Sequence, residues 1–214
     1  MVLTELFISA FITLFVVIDP PGCAPIYAGL TKGASPAQAR SMALRATAIA
    51  SVILLIFALF GQELLGALHI ELDSFRIAGG LMLFWIAFEM VFEKRTQRRT
   101  ERAEKIAATP EVEDVSVFPM AMPMLAGPGA IATVMLLMGP GAPTLEKAAT
   151  ITAMVLVLII AVFMMAFASR IGDALGRTGM NAITRILGML LMALSTQYVF
   201  DGVRVGILEQ ISQV

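Results

Sequence analysis

Residues 18–25 have the sequence IDPPGCAP and interrupt an apolar run that extends from residue 3 to residue 30. A straight transmembrane helix needs about 20 apolar residues, so this run is long enough to contain a break. Each proline removes a backbone donor and clashes with the preceding helical turn. A broken helix at membrane depth is tolerated only where protein or a wet cavity satisfies the released backbone groups. The stretch therefore predicts a membrane protein with an interrupted first span.

The composition also points to the bilayer as the solvent. The chain is 58% apolar and 14% charged, with a mean hydropathy of +0.87, whereas a soluble domain carries roughly 25% charged residues. The net charge of -1 gives no field that attracts nucleic acid, so we expect no such partner. A single histidine, His69, excludes a His-rich metal site, and we expect neither a metal nor a bound cofactor.

Apolar runs of sufficient length predict six membrane spans, at residues 3–30, 43–67, 75–92, 115–138, 148–168 and 182–208. With six spans, all but three of the 15 basic residues fall on the side that holds the linker 93–114. By the positive-inside rule that side is cytoplasmic, and both termini lie outside. We interpret the linker as a solvated loop that sets topology, and we expect lipid to surround the spans.

Two short motifs recur at nearly the same spacing along the chain. The sequence RIAG at 76–79 matches RILG at 185–188, and PPG at 20–22 corresponds to GPG at 127–129. Because each copy would hold three spans, the second copy must enter the membrane from the opposite side. This is the inverted repeat of many secondary transporters.

The predicted fold is therefore an all-α polytopic membrane protein built as a 3+3 inverted repeat. The first three-helix repeat covers residues 1–92, the polar cytoplasmic linker covers 93–114, and the second three-helix repeat covers 115–214. The first and fourth helices are predicted to be broken at their Pro/Gly motifs, because each carries a motif that a regular helix does not tolerate.

Paired breaks at corresponding positions of two halves predict the central site of a transporter. A half-helix that starts after a break presents unpaired amides and the positive end of its dipole, which suit a carboxylate. We expect the amides of Gly22 and Gly129 to hold that carboxylate, while Pro21 and Pro128 enforce the breaks. The predicted substrate-binding residues are Asp19, Pro21, Gly22, Gly127, Pro128 and Gly129.

Asp19 is an acid deep inside a predicted span, where a carboxylate costs about 2.5 to 3.5 kcal/mol on insertion scales. One interpretation is that Asp19 carries a coupling proton or Na⁺. The other is that Asp19 caps the second half-helix, with Pro20 at the first helical position. Both roles are compatible. Glu89, near the cytoplasmic end of the third span, is interpreted as an interfacial, solvated residue.

An intramembrane enzyme is the rival class, and the sequence does not favour one. It contains neither an H-E-x-x-H nor a G-x-S-x-G motif, and one histidine leaves no choice of Ser-His or Cys-His pair. An aspartyl pair would need two facing acids deep in the membrane, and only Asp19 qualifies. We therefore expect no enzymatic activity.

Four motifs together resemble the MarC family of bacterial and archaeal inner-membrane proteins. They are DPxGxxP at 19–25, RIAGGL at 76–81, FPxAMPxxAGPG at 118–129 and RIxG at 185–188, and the third is the most specific. The resemblance covers nearly the whole chain. It implies six helices in the bacterial cytoplasmic (inner) membrane, in a family that includes proteins described as transporters of small neutral amino acids such as glycine and alanine.

From the site and the resemblance we expect a secondary transporter of a small solute, a neutral amino acid of the glycine or alanine type, driven by a proton or Na⁺ gradient. The alternatives are an exporter of small amphiphilic compounds, a channel, and a membrane scaffold that transports nothing. The apolar outer surface allows a homo-oligomer, although no feature of the sequence supports one.

Overall fold

The computed structural model describes residues 2–95, 97–98, 100–101, 114–139 and 142–212, and the predicted linker lies partly outside them. The described residues form α1 (Val2–Ile18), α2 (Pro20–Leu30), α3 (Pro36–Ala67), α4 (Leu72–Val91), α5 (Pro128–Leu137), α6 (Thr144–Ala166) and α7 (Ala168–Ser212). A proline-kinked segment, Ser116–Leu125, precedes α5. The predicted all-helical membrane protein is confirmed in these residues.

Five helical stretches are long and apolar enough to cross a membrane: Leu3–Leu30, Pro36–Ala67, Leu72–Val91, Thr144–Ala166 and Thr178–Gly206. The kinked segment and α5, bent by 51°, make a sixth if they form one span. Among these membrane-spanning stretches, the largest difference from the predicted ends is at α3, which begins at Pro36 rather than at residue 43. Ser35 and Gln38 form a capping box there, so the helix starts before its apolar run.

Helices α4 and α7 pack antiparallel and very closely because glycines lie at their contact. A Cβ atom on Gly80 of α4 would lie 2.9 Å from the carbonyl oxygen of Ser195. One on Gly202 of α7 would lie 2.9 Å from the carbonyl oxygen of Asp73. Small residues permit such close backbone approach between membrane helices. Another glycine of α7, Gly176 with φ +60°, interrupts this helix before its apolar part begins.

The remaining contacts bring both broken spans to the middle of the bundle. Helix α1 packs against α6, the kinked segment packs against α3, and α5 contacts both α1 and α3. The outer faces expose large apolar side chains, among them Phe60, Phe163 and Phe200. Such a surface suits lipid rather than water.

Candidate functional site

The first span is interrupted at one residue, Asp19. Helix α1 ends at Ile18 and α2 begins at Pro20, while Asp19 adopts a left-handed conformation with φ 59° and ψ 59°. Its side-chain Oδ1 accepts a hydrogen bond of 3.0 Å from the Gly22 amide, and only 2% of the residue is exposed. Asp19 is therefore the N-cap of α2, which is one of the two roles that the sequence allows.

Side chains also satisfy the carbonyl groups at the end of α1. The Arg95 guanidinium donates a hydrogen bond of 3.0 Å to the carbonyl of Val17, and the Cys23 thiol donates to the carbonyl of Ile18 at 3.6 Å. Arg95 thus places a cation at the negative end of the α1 dipole. Both sides of the first break are capped by side chains of the protein itself.

The second break has a different local structure. Phe118 and Met122 have extended backbone angles, because each precedes a proline that disfavours helical geometry at the preceding residue. Both Phe118-Pro119 and Met122-Pro123 peptide bonds are cis. After these kinks the chain bends by 51° into α5, whose N-cap is Gly127.

The N-terminus of α5 has no side-chain cap within the described residues. Its first intrahelical hydrogen bond joins the Ile131 amide to the Gly127 carbonyl at 3.0 Å. Pro128 has no N–H, so the amides of Gly129 and Ala130 precede that bond and have no partner inside the helix. These two amides and the positive end of the α5 dipole favour an anion at this point.

A cavity of about 480 Å³ lies against the α5 N-terminus. Four charged side chains, two acidic and two basic, line one part of it: Glu89, Arg95, Arg98 and Glu101. The other lining residues are the α5 N-terminus and its apolar neighbours: Gly127, Pro128, Gly129, Ala130, Val17, Ile86, Pro119, Pro123 and Met124. The formal charges of the described lining residues cancel.

Glu89 is the buried member of this charged group. The residue is 4% exposed, and its carboxylate accepts a hydrogen bond from the Arg98 guanidinium, whose side chain is 63% exposed. The interpretation of Glu89 as a solvated interfacial residue is therefore wrong. Burial of a carboxylate is expensive unless it is paired, and Arg98 supplies the partner.

Three further residues of the site, Arg95, Arg98 and Glu101, belong to the linker that was interpreted as a solvated loop. Residues 94–95, 97–98 and 100–101 are helical and bring these side chains to the cavity. The available signal was weak: an acid near the end of a span, followed by clustered arginines. Residues 102–113 of the linker lie outside the described residues.

The predicted site residues divide into two groups in the structure. Gly127, Pro128 and Gly129 line the cavity. Asp19, Pro21 and Gly22 are buried and are not among the described residues that line it. The Gly22 amide is already bound to Asp19, so of the two predicted amide donors only Gly129 opens to the cavity.

Asp114 lies just before the second broken span, outside the membrane-spanning segments. Hydrogen bonds from the hydroxyl and the amide of Ser116, together with the nearby Arg45 guanidinium, hold the pKa of Asp114 below its ordinary value of 3.8. The hydrogen bond from the Ser116 amide to Asp114 Oδ1 is 2.9 Å long, and Arg45 Nη1 lies 3.2 Å from Asp114 Oδ2. Among the described residues, no group of three His, Cys, Asp or Glu side chains is placed to hold a metal ion.

With this geometry established, the chain can be compared with known proteins. The sequence profile described as MarC family integral membrane protein matches residues 4–207. The chain belongs to the MarC family. Its motifs and its helical membrane architecture agree with that assignment, and the resemblance noted from the four motifs is confirmed.

Relatives occur in archaea and bacteria. The chain is 33% identical over 206 residues to a UPF0056 membrane protein of Methanocaldococcus jannaschii, covering 96% of this chain and 90% of the relative. It is 37% identical over 200 residues to one of Aquifex aeolicus, covering 93% and 92%. It is 30% identical over 197 residues to one of Bacillus subtilis, covering 92% and 93%. These names specify a membrane protein and no substrate. No solved structure matches the chain.

Proposed function

We propose that this MarC family protein is a secondary transporter, and not an enzyme, that carries a small neutral amino acid of the glycine or alanine type. A proton or Na⁺ gradient would drive it. The observation that carries the proposal is the N-terminus of α5, which no described side chain caps and which borders a cavity whose described lining residues have formal charges that sum to zero. Such a cavity suits a small solute that has a carboxylate and no net charge.

The carboxylate would bind at the second break. The Gly129 and Ala130 amides lie at the positive end of the α5 dipole, and they border the cavity. Pro128 contributes rigidity at the first helical position but no donor. Gly127 and Gly129 lack side chains, so a ligand can approach the backbone closely.

The helix contacts support the proposed 3+3 inverted repeat. Exchanging the two halves turns the contact of α1 with α6 into the contact of the fourth span with α3, and both occur. The same exchange turns the α4 and α7 pair into itself. A rocking motion of one repeat against the other would then expose the site alternately to the two sides of the membrane.

We place the protein in the bacterial inner membrane with both termini outside, as the distribution of basic residues predicts. In that orientation the cavity extends from the cytoplasmic end of α4 to the break near the middle of the fourth span. The structure would then represent a state in which the site faces the cytoplasm. Lipid and the solute are the proposed partners, and no nucleic acid is involved.

Asp19 is the proposed coupling site for the proton or Na⁺. Its carboxylate caps α2 through the Gly22 amide, and a charge-assisted hydrogen bond of this kind is stronger than a neutral one. Binding of a cation at Asp19 would weaken the cap and loosen the start of α2. The first break would therefore sense the ion while the second break binds the solute.

Uptake of labelled glycine and alanine into proteoliposomes, under imposed proton and Na⁺ gradients, tests the proposal. We expect saturable uptake that a gradient stimulates. Asp19→Asn keeps a good capping group but no charge, so gradient-driven uptake should fall by about tenfold, roughly the factor for 1.4 kcal/mol of lost coupling. Exchange of internal for external glycine should persist.

Asp201→Asn is the matched control, since it removes an acid from α7 that lies outside the cavity lining and contacts Gln197 at 2.8 Å. Its uptake should equal that of the wild type. If folded wild-type protein takes up neither amino acid under either gradient, the amino-acid assignment is wrong. An exporter, a channel or a scaffold that transports nothing would then be the better description.

A further inference from the structure

The Glu89 and Arg98 ion pair lines the cavity where the solute is proposed to bind. A charged solute in the cavity therefore competes with Glu89 for Arg98, and with Arg98 for Glu89. Glu89 comes from the last part of α4, and Arg98 comes from the helical start of the linker. Both side chains line the same cavity as the α5 N-terminus. A ligand carboxylate at that N-terminus therefore shares the cavity with a guanidinium that is already occupied by a carboxylate.

The two partners differ in how they can respond to a ligand. The Glu89 side chain is 5% exposed and is held by α4, whereas the Arg98 side chain is 63% exposed. Arg98 can move toward solvent or toward a ligand without losing buried contacts. Glu89 cannot, and a buried carboxylate left without a partner is strongly unfavourable. Opening the pair therefore requires a new cation at Glu89.

We propose that a zwitterion whose carboxylate lies at the α5 N-terminus opens this pair by replacing each charge with its own: the same carboxylate takes the place of Glu89 at Arg98, and the ammonium takes the place of Arg98 at Glu89. After the exchange each of the four charges, two from the protein and two from the solute, has an opposite charge beside it. A solute with only one of the two groups would leave either Glu89 or Arg98 unpaired. The inference rests on the proposed transport function, and it adds Glu89 and Arg98 to the binding site.

This exchange explains why the cavity would select an α-amino acid and not any small carboxylate. The α5 amides alone would accept acetate as readily as glycine, since both present the same carboxylate. Glu89 supplies the discrimination, because acetate offers it no cation. The neutral sum of Glu89, Arg95, Arg98 and Glu101 agrees with a ligand that has no net charge.

Binding of three matched probes to the purified full-length protein tests the exchange. The probes are glycine, acetate and methylammonium, where acetate lacks the ammonium of glycine and methylammonium lacks its carboxylate. Isothermal titration calorimetry gives a Kd for each at pH 7. For the wild type we expect glycine to bind more tightly than either single-charge probe by about tenfold or more, as expected when a buried charge loses its partner.

Two neutral variants should change the preference in opposite directions. In Glu89→Gln the buried carboxylate no longer competes for Arg98 and no longer needs a cation, so the acetate Kd divided by the glycine Kd should fall by about tenfold. In Arg98→Gln the carboxylate of Glu89 is available, so the methylammonium Kd divided by the glycine Kd should fall by about tenfold. Glu89→Asp keeps the charge and should keep the wild-type preference for glycine.

Controls and contradictory outcomes separate this inference from the transport proposal. Glu63→Gln and Arg204→Gln neutralise exposed residues outside the cavity lining and should leave both ratios unchanged. Folded Glu89→Gln and Arg98→Gln could lose glycine affinity while both ratios stay within about threefold of the wild type, well below the tenfold that 1.4 kcal/mol gives. In that case the ion pair is only structural and the inference is wrong. Glu89→Gln leaves only the exposed Arg98 without a partner, so Glu89→Gln decides the question even if Arg98→Gln, which leaves the buried Glu89 carboxylate unpaired, does not fold.

If the wild type transports glycine but neither substitution changes these ratios, the inference is wrong and the transport proposal still stands. Folded wild-type protein that binds none of the probes would overturn the amino-acid proposal. The exchange would still be supported in that case if Glu89→Gln gained acetate binding, and it would be overturned if it did not.

Discussion

In both interrupted spans the helix after the break begins with an N-cap residue followed by a proline. The two helix starts differ in whether their backbone amides are bound by a side chain of the protein. In the first, Asp19 is the N-cap and Pro20 follows it; in the second, Gly127 is the N-cap and Pro128 follows it. Asp19 binds the Gly22 amide with its own carboxylate, whereas Gly127 has no side chain to do so. The first helix start is therefore satisfied internally, and the second is open to an external anion.

If the two breaks are copies of one element, as we propose, the residue at the N-cap would be enough to give them two roles. A carboxylate at the N-cap occupies the place where a substrate carboxylate would bind, so the first break cannot bind both without losing its cap. A glycine at the same position leaves the amides of the second break exposed to the cavity. Under the proposed function, ion coupling at the first break and solute binding at the second would follow from the residue at each N-cap.

The largest effect should come from filling the space at the second break. In Gly127→Ala the new Cβ would lie 2.4 Å from the carbonyl oxygen of Pro123, which is backbone and cannot rotate away. We expect a loss of about 2 to 3 kcal/mol of stability, typical of severe overpacking, and loss of transport. Thermal unfolding in detergent measures it. Gly29→Ala, with nothing within 4 Å of its Cβ, should be neutral; equal stability of the two variants would show that the second break tolerates a side chain.

The cap of the first break should have the next largest effect. Asp19→Ala removes the acceptor for the Gly22 amide and should cost about 1 to 2 kcal/mol of stability. Asp19→Asn retains a capping oxygen and tolerates the left-handed conformation, so its cost should be below about 0.5 kcal/mol. Unfolding midpoints of the two variants give the comparison. An Asn variant as unstable as the Ala variant would mean that the negative charge, and not the hydrogen bond, stabilises α2.

Much of this fold is predictable from the sequence because local features determine it. The thickness of the bilayer fixes the length of each apolar run, and prolines determine where the first and fourth spans are interrupted. The capping role of Asp19 follows from its position before Pro20. The early start of α3 was not predicted, because the capping box at residues 35–38 precedes the apolar run from which the span was predicted.

The charged part of the cavity was not predictable in the same way. Burial of Glu89 depends on how elements distant in sequence meet around the face of α4 that carries Ile86 and Glu89, and the Arg98 partner depends on the linker folding back toward α4. Neither is encoded in a local pattern. The match of PPG at 20–22 to GPG at 127–129 aligns Pro21 with Pro128. Alignment of the two N-caps, Asp19 and Gly127, instead aligns Pro20 with Pro128, a shift of one residue. The capping interpretation of Asp19 already places Pro20 at the first helical position, and the structure agrees with it.

A smaller effect should follow from adding a methyl group beside the open amides. In Gly129→Ala the new Cβ would lie 2.7 Å from the Cδ1 atom of Ile86, the end of a flexible side chain. We expect a stability loss of about 1 kcal/mol or less and a severalfold rise in the Kd for glycine. Ile86→Val deletes that Cδ1 atom, so Ile86→Val with Gly129→Ala should recover the stability. If the Kd recovers as well, the contact with Ile86 and not the narrowed approach to the amides is responsible.

The smallest effect concerns Asp114, an exposed counterpart of the buried cap at Asp19. Its carboxylate accepts the Ser116 amide at the start of the second broken span and lies 3.2 Å from Arg45. Because solvent screens such a group, Asp114→Asn should cost less than about 1 kcal/mol at pH 7. Buried Asp19 and exposed Asp114 therefore test how much burial adds to a carboxylate that binds one backbone amide.

The pH dependence of the Asp114 contribution has a definite sign. The pKa of this carboxyl is lowered in the folded protein from 3.8, so its stabilisation is fully present above pH 3.8 and declines as the pH falls through the folded value. The difference in unfolding midpoint between wild type and Asp114→Asn should be constant from neutral pH to about pH 5 and disappear in stronger acid. A difference that grew on acidification would require a raised pKa, contrary to the hydrogen bonds from Ser116.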